Sequence, residues 1–168
     1  MITLIGFGGG CHWCTEAVFA SLKGVAEVQQ GWIKPTGDGG YSEAVIVRFD
    51  PDHIPLEVLV KVHLHTHSAT SRHSMRGKYR SAIYTFSDAD KAAAIAAIKK
   101  WQPEFAAPIV TEVFSYEAFR LNRSEQLNYY YSDPERPFCQ TYINPKLKLL
   151  LTQFEDVADS DKLAKLKQ

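Results

Sequence analysis

The most constraining stretch is a short apolar run, Ile2 to Gly8, that continues through Gly9-Gly10 straight into Cys11-His12-Trp13-Cys14. The run reads as a buried strand, and Gly8-Gly9-Gly10 as a turn whose backbone can approach another group closely. A helix is expected from Cys11 or His12 to Leu22, with Ala17, Val18 and Leu22 on one face and Gly24 marking its end. Cys11 then lies at a helix N-terminus, where unpaired N–H groups and the helix dipole favour a thiolate, the reactive form. Cys14, three residues on, shares that face and lies within reach. A CxxC pair suits two chemistries, a nucleophile with its resolving thiol or part of a zinc site. The sequence holds no second CxxC and no CxxH pair near it, which favours redox use.

The remaining punctuation suggests the fold. Val25 to Ile33 and Glu43 to Phe49 read as strands joined across a turn or loop from Lys34 to Gly40. Asp50-Pro51 stops the second, and Leu56 to about Leu64 has the apolar spacing of a helix. A His- and Ser-rich loop is expected from His65 to Lys78, a strand from Arg80 to Phe86, and a helix from Asp88 to Trp101 capped by Ser87. Val110 to Phe114 reads as a further strand and Ser124 to Tyr131 as a polar helix. The Tyr129-Tyr130-Tyr131 run is read as packing and rim. The core order of strand, helix, strand, strand, helix, strand is that of an α+β, ferredoxin-like split βαβ two-layer sandwich. The 168 residues fit a single domain, with a tail of about 142–168, helical from Tyr142 to Phe154, packing over it.

Charge and cysteine usage narrow the function classes. Nineteen Lys plus Arg balance nineteen Asp plus Glu, so no basic surface for nucleic acid and no membrane-seeking charge is expected. The N-terminal apolar run lacks a basic lead-in, so it does not read as a signal peptide. No run approaches the roughly 20 apolar residues of a membrane span. Three cysteines, an odd number, argue against a structural disulfide framework. A soluble, cytoplasmic monomer is the expectation.

Gly10-Cys11-His12-Trp13-Cys14-Thr15-Glu16-Ala17-Val18-Phe19, following a Gly-rich strand, resembles the active-site signature of the A-type peptide methionine sulfoxide reductases. The resemblance continues through Gly31-Trp32, Gly40-Tyr41-Ser42-Glu43-Ala44-Val45, Asp50-Pro51, Lys78-Tyr79-Arg80-Ser81-Ala82-Ile83-Tyr84, Phe138-Cys139-Gln140 and Pro145-Lys146-Leu147. It implies that Cys11 attacks the sulfoxide sulfur and becomes a sulfenic acid while methionine leaves. By family analogy the substrate is the S epimer, free or peptide-bound. Glu43 matches the carboxylate that polarises the sulfoxide oxygen, and in an apolar pocket it could hold a proton for that purpose. Tyr79 matches a tyrosine that also donates to this oxygen, and Trp13 an aromatic against the substrate methyl. Cys14 matches a resolving thiol within the signature, and Cys139 a C-terminal thiol used by some relatives. Cys14 is favoured because the helix itself brings it near. No bound cofactor is implied; thioredoxin or another dithiol supplies electrons.

The chain also departs from the family pattern. His12 stands where half of the methyl pocket is usually Phe, and could weaken methyl binding or stabilise the thiolate. The loop from Lys34 to Gly40 is short and lacks the family's tyrosine. Tyr41 replaces a His, Ser74 an Asp, and His65-Thr66-His67-Ser68 the usual His-Asp-Pro-Thr. With Cys11, Cys14 or His12, the histidines His63, His65, His67 and His73 offer the donors of a metal site, but the expectation is no metal, with imidazoles bonded to backbone groups. Two rival readings stand beside the reductase: a general dithiol-disulfide oxidoreductase, and a Cys/His metal-binding sensor.

Overall fold

A computed structural model describes residues 1–37 and 39–167; Asp38 of the expected turn and Gln168 at the end of the tail lie outside the described residues. The first strand, β1 (Thr3–Gly8), is flanked by β3 (Ser42–Phe49) and β4 (Ala82–Thr85), antiparallel to both. Strand β2 (Val25–Pro35) forms an antiparallel ladder with β3, with Trp32 opposite Glu43. Helix α1 (His12–Ala20) packs on this sheet, and Phe19 stacks on Phe7 of β1 with ring centroids 4.5 Å apart. Stacking of two rings that are fully withdrawn from water anchors the thiol-bearing helix to the strand before it.

The α+β class is as expected, but the sheet is not an open layer. Strand β5 runs from Glu112 to Leu121, well beyond the expected end at Phe114. Its first residues lie parallel to β4, from Ala82 opposite Glu112 to Thr85 opposite Ser115. The remainder lies antiparallel to β2, from Pro35 opposite Tyr116 to Gly31 opposite Leu121. One long strand thus joins both edges, giving a closed sheet in the order β1-β3-β2-β5-β4. The polar residues Ser115, Glu117 and Arg120 hide this strand from a hydrophobicity reading, yet closure satisfies backbone groups that would otherwise be exposed edges. Ile33, Ala44, Ile46, Ala82 and Tyr84 cluster on one face of the sheet. Ile5, Phe7, Val45, Val47 and Ile83 point the other way, into the helix-covered core.

Helices α2 (Leu56–Thr66) and α3 (Asp88–Trp101) pack together, and Ser87 accepts the Asp90 N–H as the expected cap. The expected helix over 124–131 is instead broken. A 3-10 turn at Ser124–Gln126 is followed by Asn128 at φ 53°, and then by the short α4 (Tyr129–Ser132). A wide π turn, Cys139–Ile143, leads into α5 (Asn144–Gln153), whose Leu147 and Leu150 are buried. The tail is tied to the end of α1 by the Lys23 N–H to the Val157 carbonyl at 2.8 Å and the Asp159 N–H to the Ser21 carbonyl at 2.8 Å. No helix among the described residues is long and apolar enough to cross a membrane.

Candidate active site

Cys11 occupies the cap position before α1, with φ −59° and ψ 130°, and its carbonyl accepts the Cys14 and Thr15 N–H groups. Its thiol is pulled below the ordinary cysteine range, chiefly by a hydrogen bond from the Cys14 thiol. Burial opposes this, the Trp13 N–H supports it, and the charge of Glu43 works against it. Cys14 is driven the other way by the same hydrogen bond, by burial and by the Cys11 charge. The helix N-terminus therefore holds one thiol ready to ionise and one that keeps its proton, a polarised pair.

Both sulfurs border a cleft of about 400 Å³. Tyr79, Met75, Phe138, Tyr142 and Lys146 also line it. Lys146 reaches in from α5 and donates to the Thr66 carbonyl. Burial lowers its affinity for a proton, while Cys14 and Cys11 oppose that effect. Lys146 thus shares the cleft with both cysteines, and its charge favours the Cys14 thiolate. In the sequence Lys146 stands only within the Pro145-Lys146-Leu147 motif, and nothing local marks it as facing the cysteines.

Glu43 and Tyr79 are linked through Lys78, a residue without an assigned role in the sequence reading. The Lys78 ammonium is 3.6 Å from Glu43 Oε2 and 5.1 Å from the centre of the Tyr79 ring. Hydrogen bonding to Tyr79 and the charge of Glu43 raise its pKa. Glu43 is only 6% exposed, and its Oε1 accepts the His12 backbone N–H at 3.3 Å. The setting is polar, unlike the apolar pocket expected for this carboxyl.

His12 and Trp13 are placed differently from a pair of walls around a substrate methyl. The His12 ring is buried, with Nδ1 2.8 Å from the Gly31 carbonyl oxygen and Nε2 3.4 Å from Glu43 Oε1. Trp13 stacks on Tyr129, with ring centroids 4.0 Å apart, and meets Phe138 edge-on. Glu16 organises this neighbourhood. Its buried carboxylate accepts the backbone N–H groups of Asn128 at 2.9 Å and Tyr129 at 3.1 Å, and the Gln30 side chain at 3.0 Å. This explains both the broken helix and the position of Tyr129 over Trp13.

Cys139 is fully buried, and its thiol lies 3.7 Å from the Asp133 carbonyl. It is not among the residues lining the cleft with Cys11. The histidines serve local structure. His63 donates from Nε2 to the Gly8 carbonyl at 2.8 Å, and His67 from Nδ1 to the His63 carbonyl. His67 then accepts from Ser81 at Nε2, and a side chain at Gly9 would collide with its ring at 2.4 Å. His65 meets Glu104 at 2.9 Å, and His73 accepts the Met75 N–H. Among the described residues, no three His, Cys, Asp or Glu side chains are gathered for a metal ion.

Comparison with known proteins places this arrangement. The family model described as peptide methionine sulfoxide reductase matches residues 3–158. The peptide methionine sulfoxide reductase MsrA of Pasteurella multocida is 32% identical over 166 residues, covering 90% of this chain and 95% of that protein. Among solved structures, reduced Mxr1 from Saccharomyces cerevisiae shares the fold at a TM-score of 0.72 and 22% identity, covering 84% of this chain and 91% of that one. Mxr1 in complex with Trx2 aligns at a TM-score of 0.62 and 23% identity, covering 74% and 83%. A match that spans the strands, the thiol helix and the tail is specific: the chain belongs to the peptide methionine sulfoxide reductase family.

Proposed function

We propose that the chain reduces the S epimer of methionine sulfoxide, peptide-bound or free, to methionine, with Cys11 as nucleophile and Cys14 as resolving thiol. The observation that carries this reading is that Cys11, at the cap of α1, and Cys14, on its first turn, line one cleft with their thiols shifted in opposite directions, which prepares one sulfur to attack and the other to follow. The Cys11 thiolate attacks the sulfoxide sulfur, the oxygen takes a proton, and methionine departs as Cys11 becomes a sulfenic acid. Cys14 then displaces water and closes the disulfide, with its own proton leaving in that water. Glu43 and Tyr79 serve as donors to the sulfoxide oxygen, a reading supported by Tyr79 lining the cleft with Cys11 and by Glu43 lying against the backbone N–H of His12, the residue after the nucleophile. Trp13 acts from behind the cleft, packed against the lining residue Phe138, and Cys139 is a reserve thiol rather than the first resolver.

A thioredoxin-like dithiol returns the disulfide to two thiols, a reading supported by the Mxr1 complex with Trx2. Three unpaired cysteines suit a reducing compartment such as the cytoplasm. We also read the chain as one reductase domain with the tail packed over it. Its β1 to β4 portion forms a ferredoxin-like split βαβ unit, supported by the antiparallel order β4-β1-β3-β2.

The test is single turnover of reduced protein with the separate S and R sulfoxides of a blocked methionine. The expected result is one thioether formed and two thiols lost per chain, from the S epimer only. Thioether formed from the R epimer alone, or none from either, overturns the reading.

A further inference from the structure

The His12 side chain contains more information than its place in the signature. Its Nδ1 lies 2.8 Å from the Gly31 carbonyl oxygen, and a carbonyl can only accept, so Nδ1 carries the hydrogen. Gly31 can present that carbonyl because it is a glycine: a Cβ there would lie 2.0 Å from the Arg120 carbonyl oxygen of β5. The other ring nitrogen, Nε2, has two polar neighbours, Asn122 Nδ2 at 3.4 Å and Glu43 Oε1 at 3.4 Å.

The orientation of Asn122 is set from farther away. The Gln126 carbonyl accepts from Gln30 Nε2 at 3.0 Å, and Glu16 accepts from the same nitrogen at 3.0 Å. Gln30 Oε1 is thereby turned to Asn122 and accepts from its Nδ2 at 2.6 Å. Asn122 Oδ1 accepts the Arg123 backbone N–H at 2.9 Å. Asn122 therefore directs an N–H, not an oxygen, at His12. An imidazole that donates from Nδ1 and is offered an amide N–H at Nε2 is neutral. Its single Nε2 lone pair is shared between the Asn122 N–H and Glu43 Oε1, each 3.4 Å away, and a lone pair of Oε1 beside it repels unless Glu43 holds a hydrogen there.

We infer that His12 is a positioning residue that keeps Glu43 as a neutral acid, its Oε1–H directed at His12 Nε2, and so holds the proton that the sulfoxide oxygen takes. This deepens the proposed function and rests on it. Two groups facing Glu43 favour its carboxylate, the His12 backbone N–H 3.3 Å from Oε1 and the exposed Lys78 ammonium, from the segment before β4, 3.6 Å from Oε2; the His12 lone pair is what holds the proton against them. Trp32 of β2 sets its ring against His12 with centroids 5.1 Å apart. A charged Glu43 would oppose the Cys11 thiolate; a neutral one does not. The step balances: the Cys11 thiolate supplies the electron pair, the S–O bond to substrate breaks, and the Glu43 proton ends on the sulfenic oxygen. After a dithiol has reduced the disulfide, Cys11 regains its thiolate as a proton returns to Glu43.

The test uses the reduced full-length protein with 15N-labelled histidine and 13C-carboxyl glutamate, the His12 and Glu43 signals being assigned with His12→Phe and Glu43→Gln. At neutral pH, His12 is expected as the Nδ1–H tautomer and the Glu43 carboxyl carbon at the shift of a protonated acid. An imidazolium, or a hydrogen on Nε2 alone with an ionised Glu43, overturns the inference. Asn122→Asp turns an acceptor toward Nε2, so His12 should become imidazolium, Glu43 a carboxylate, and single-turnover reduction slower by about tenfold or more. If Asn122→Asp changes neither the His12 signals nor the pH profile of that turnover, the inference is overturned. These spectra do not depend on turnover, so a wild-type protein with the neutral pair that forms no methionine would refute the sulfoxide reading and not the pair.

Discussion

The Cys11 carbonyl accepts the Cys14 N–H at 3.1 Å, which sets the two thiols on one turn, where Cys14 pulls the Cys11 pKa down and Cys11 pushes that of Cys14 up. Removing the second thiol as Cys14→Ala should raise the Cys11 pKa by about one unit, the scale of a hydrogen bond to a charged acceptor. The pH dependence of iodoacetamide alkylation measures this. The same variant should still release one methionine per chain and then stop with Cys11 as a sulfenic acid. Undiminished multiple turnover in Cys14→Ala would assign resolution to Cys139.

Lys146 should act more on resolution than on attack, since Cys14 interacts with its charge more strongly than Cys11 does. Its charge favours the Cys14 thiolate, so Lys146→Met should slow disulfide closure by about tenfold, the effect of one pKa unit on the reactive fraction. Rapid-quench measurement separates methionine release from thiol loss. An equal fall in both rates would show that Lys146 does not single out the second step.

Glu16 holds three donors, two of them backbone N–H groups next to the unusual φ of Asn128. Replacing it with Ala leaves those donors without an acceptor and should cost about 2–4 kcal/mol. Tyr129 should also leave the face of Trp13, which tryptophan fluorescence reports alongside the denaturation midpoint. A stable Glu16→Ala variant with unchanged fluorescence would mean that other contacts hold this segment.

Acid should loosen the fold through the buried histidines. Burial lowers the His67 pKa from 6.5 to about 4, and His63 is pushed well below its ordinary value by burial and by His67. Between those pH values the unfolded chain binds a proton at His67 that the folded chain refuses, so stability is complete above about pH 6.5 and declines as pH falls toward 4. His67 alone accounts for about 2 kcal/mol at pH 5 by this linkage. Urea unfolding at pH 7 and pH 5 should differ by at least that much, and His67→Gln should shrink the difference. A midpoint independent of pH would show that both imidazoles titrate normally in the folded protein.

The local features of this protein were legible in its residues. An apolar run, three glycines and CxxC were enough to place a strand, a close turn and a thiol at a helix start, because each depends on neighbours only a few positions apart. Ser87 as a cap and the helix from Asp88 to Trp101 are local for the same reason. The thiol pair required nothing more than helical geometry.

What the tertiary structure decided involves partners far apart in the chain. Closure of the sheet depends on one half of β5 meeting β4 and the other half β2, and no pattern within Glu112–Leu121 declares two different neighbours. Lys146 shares a cleft with the thiols only because the tail folds back over α1. The state of His12 depends on Gly31, Asn122, Gln30 and Gln126, brought together from β2 and from the segment after β5. Hydrogen bonds fix a tautomer through direction as well as composition, and direction exists only once distant segments are packed.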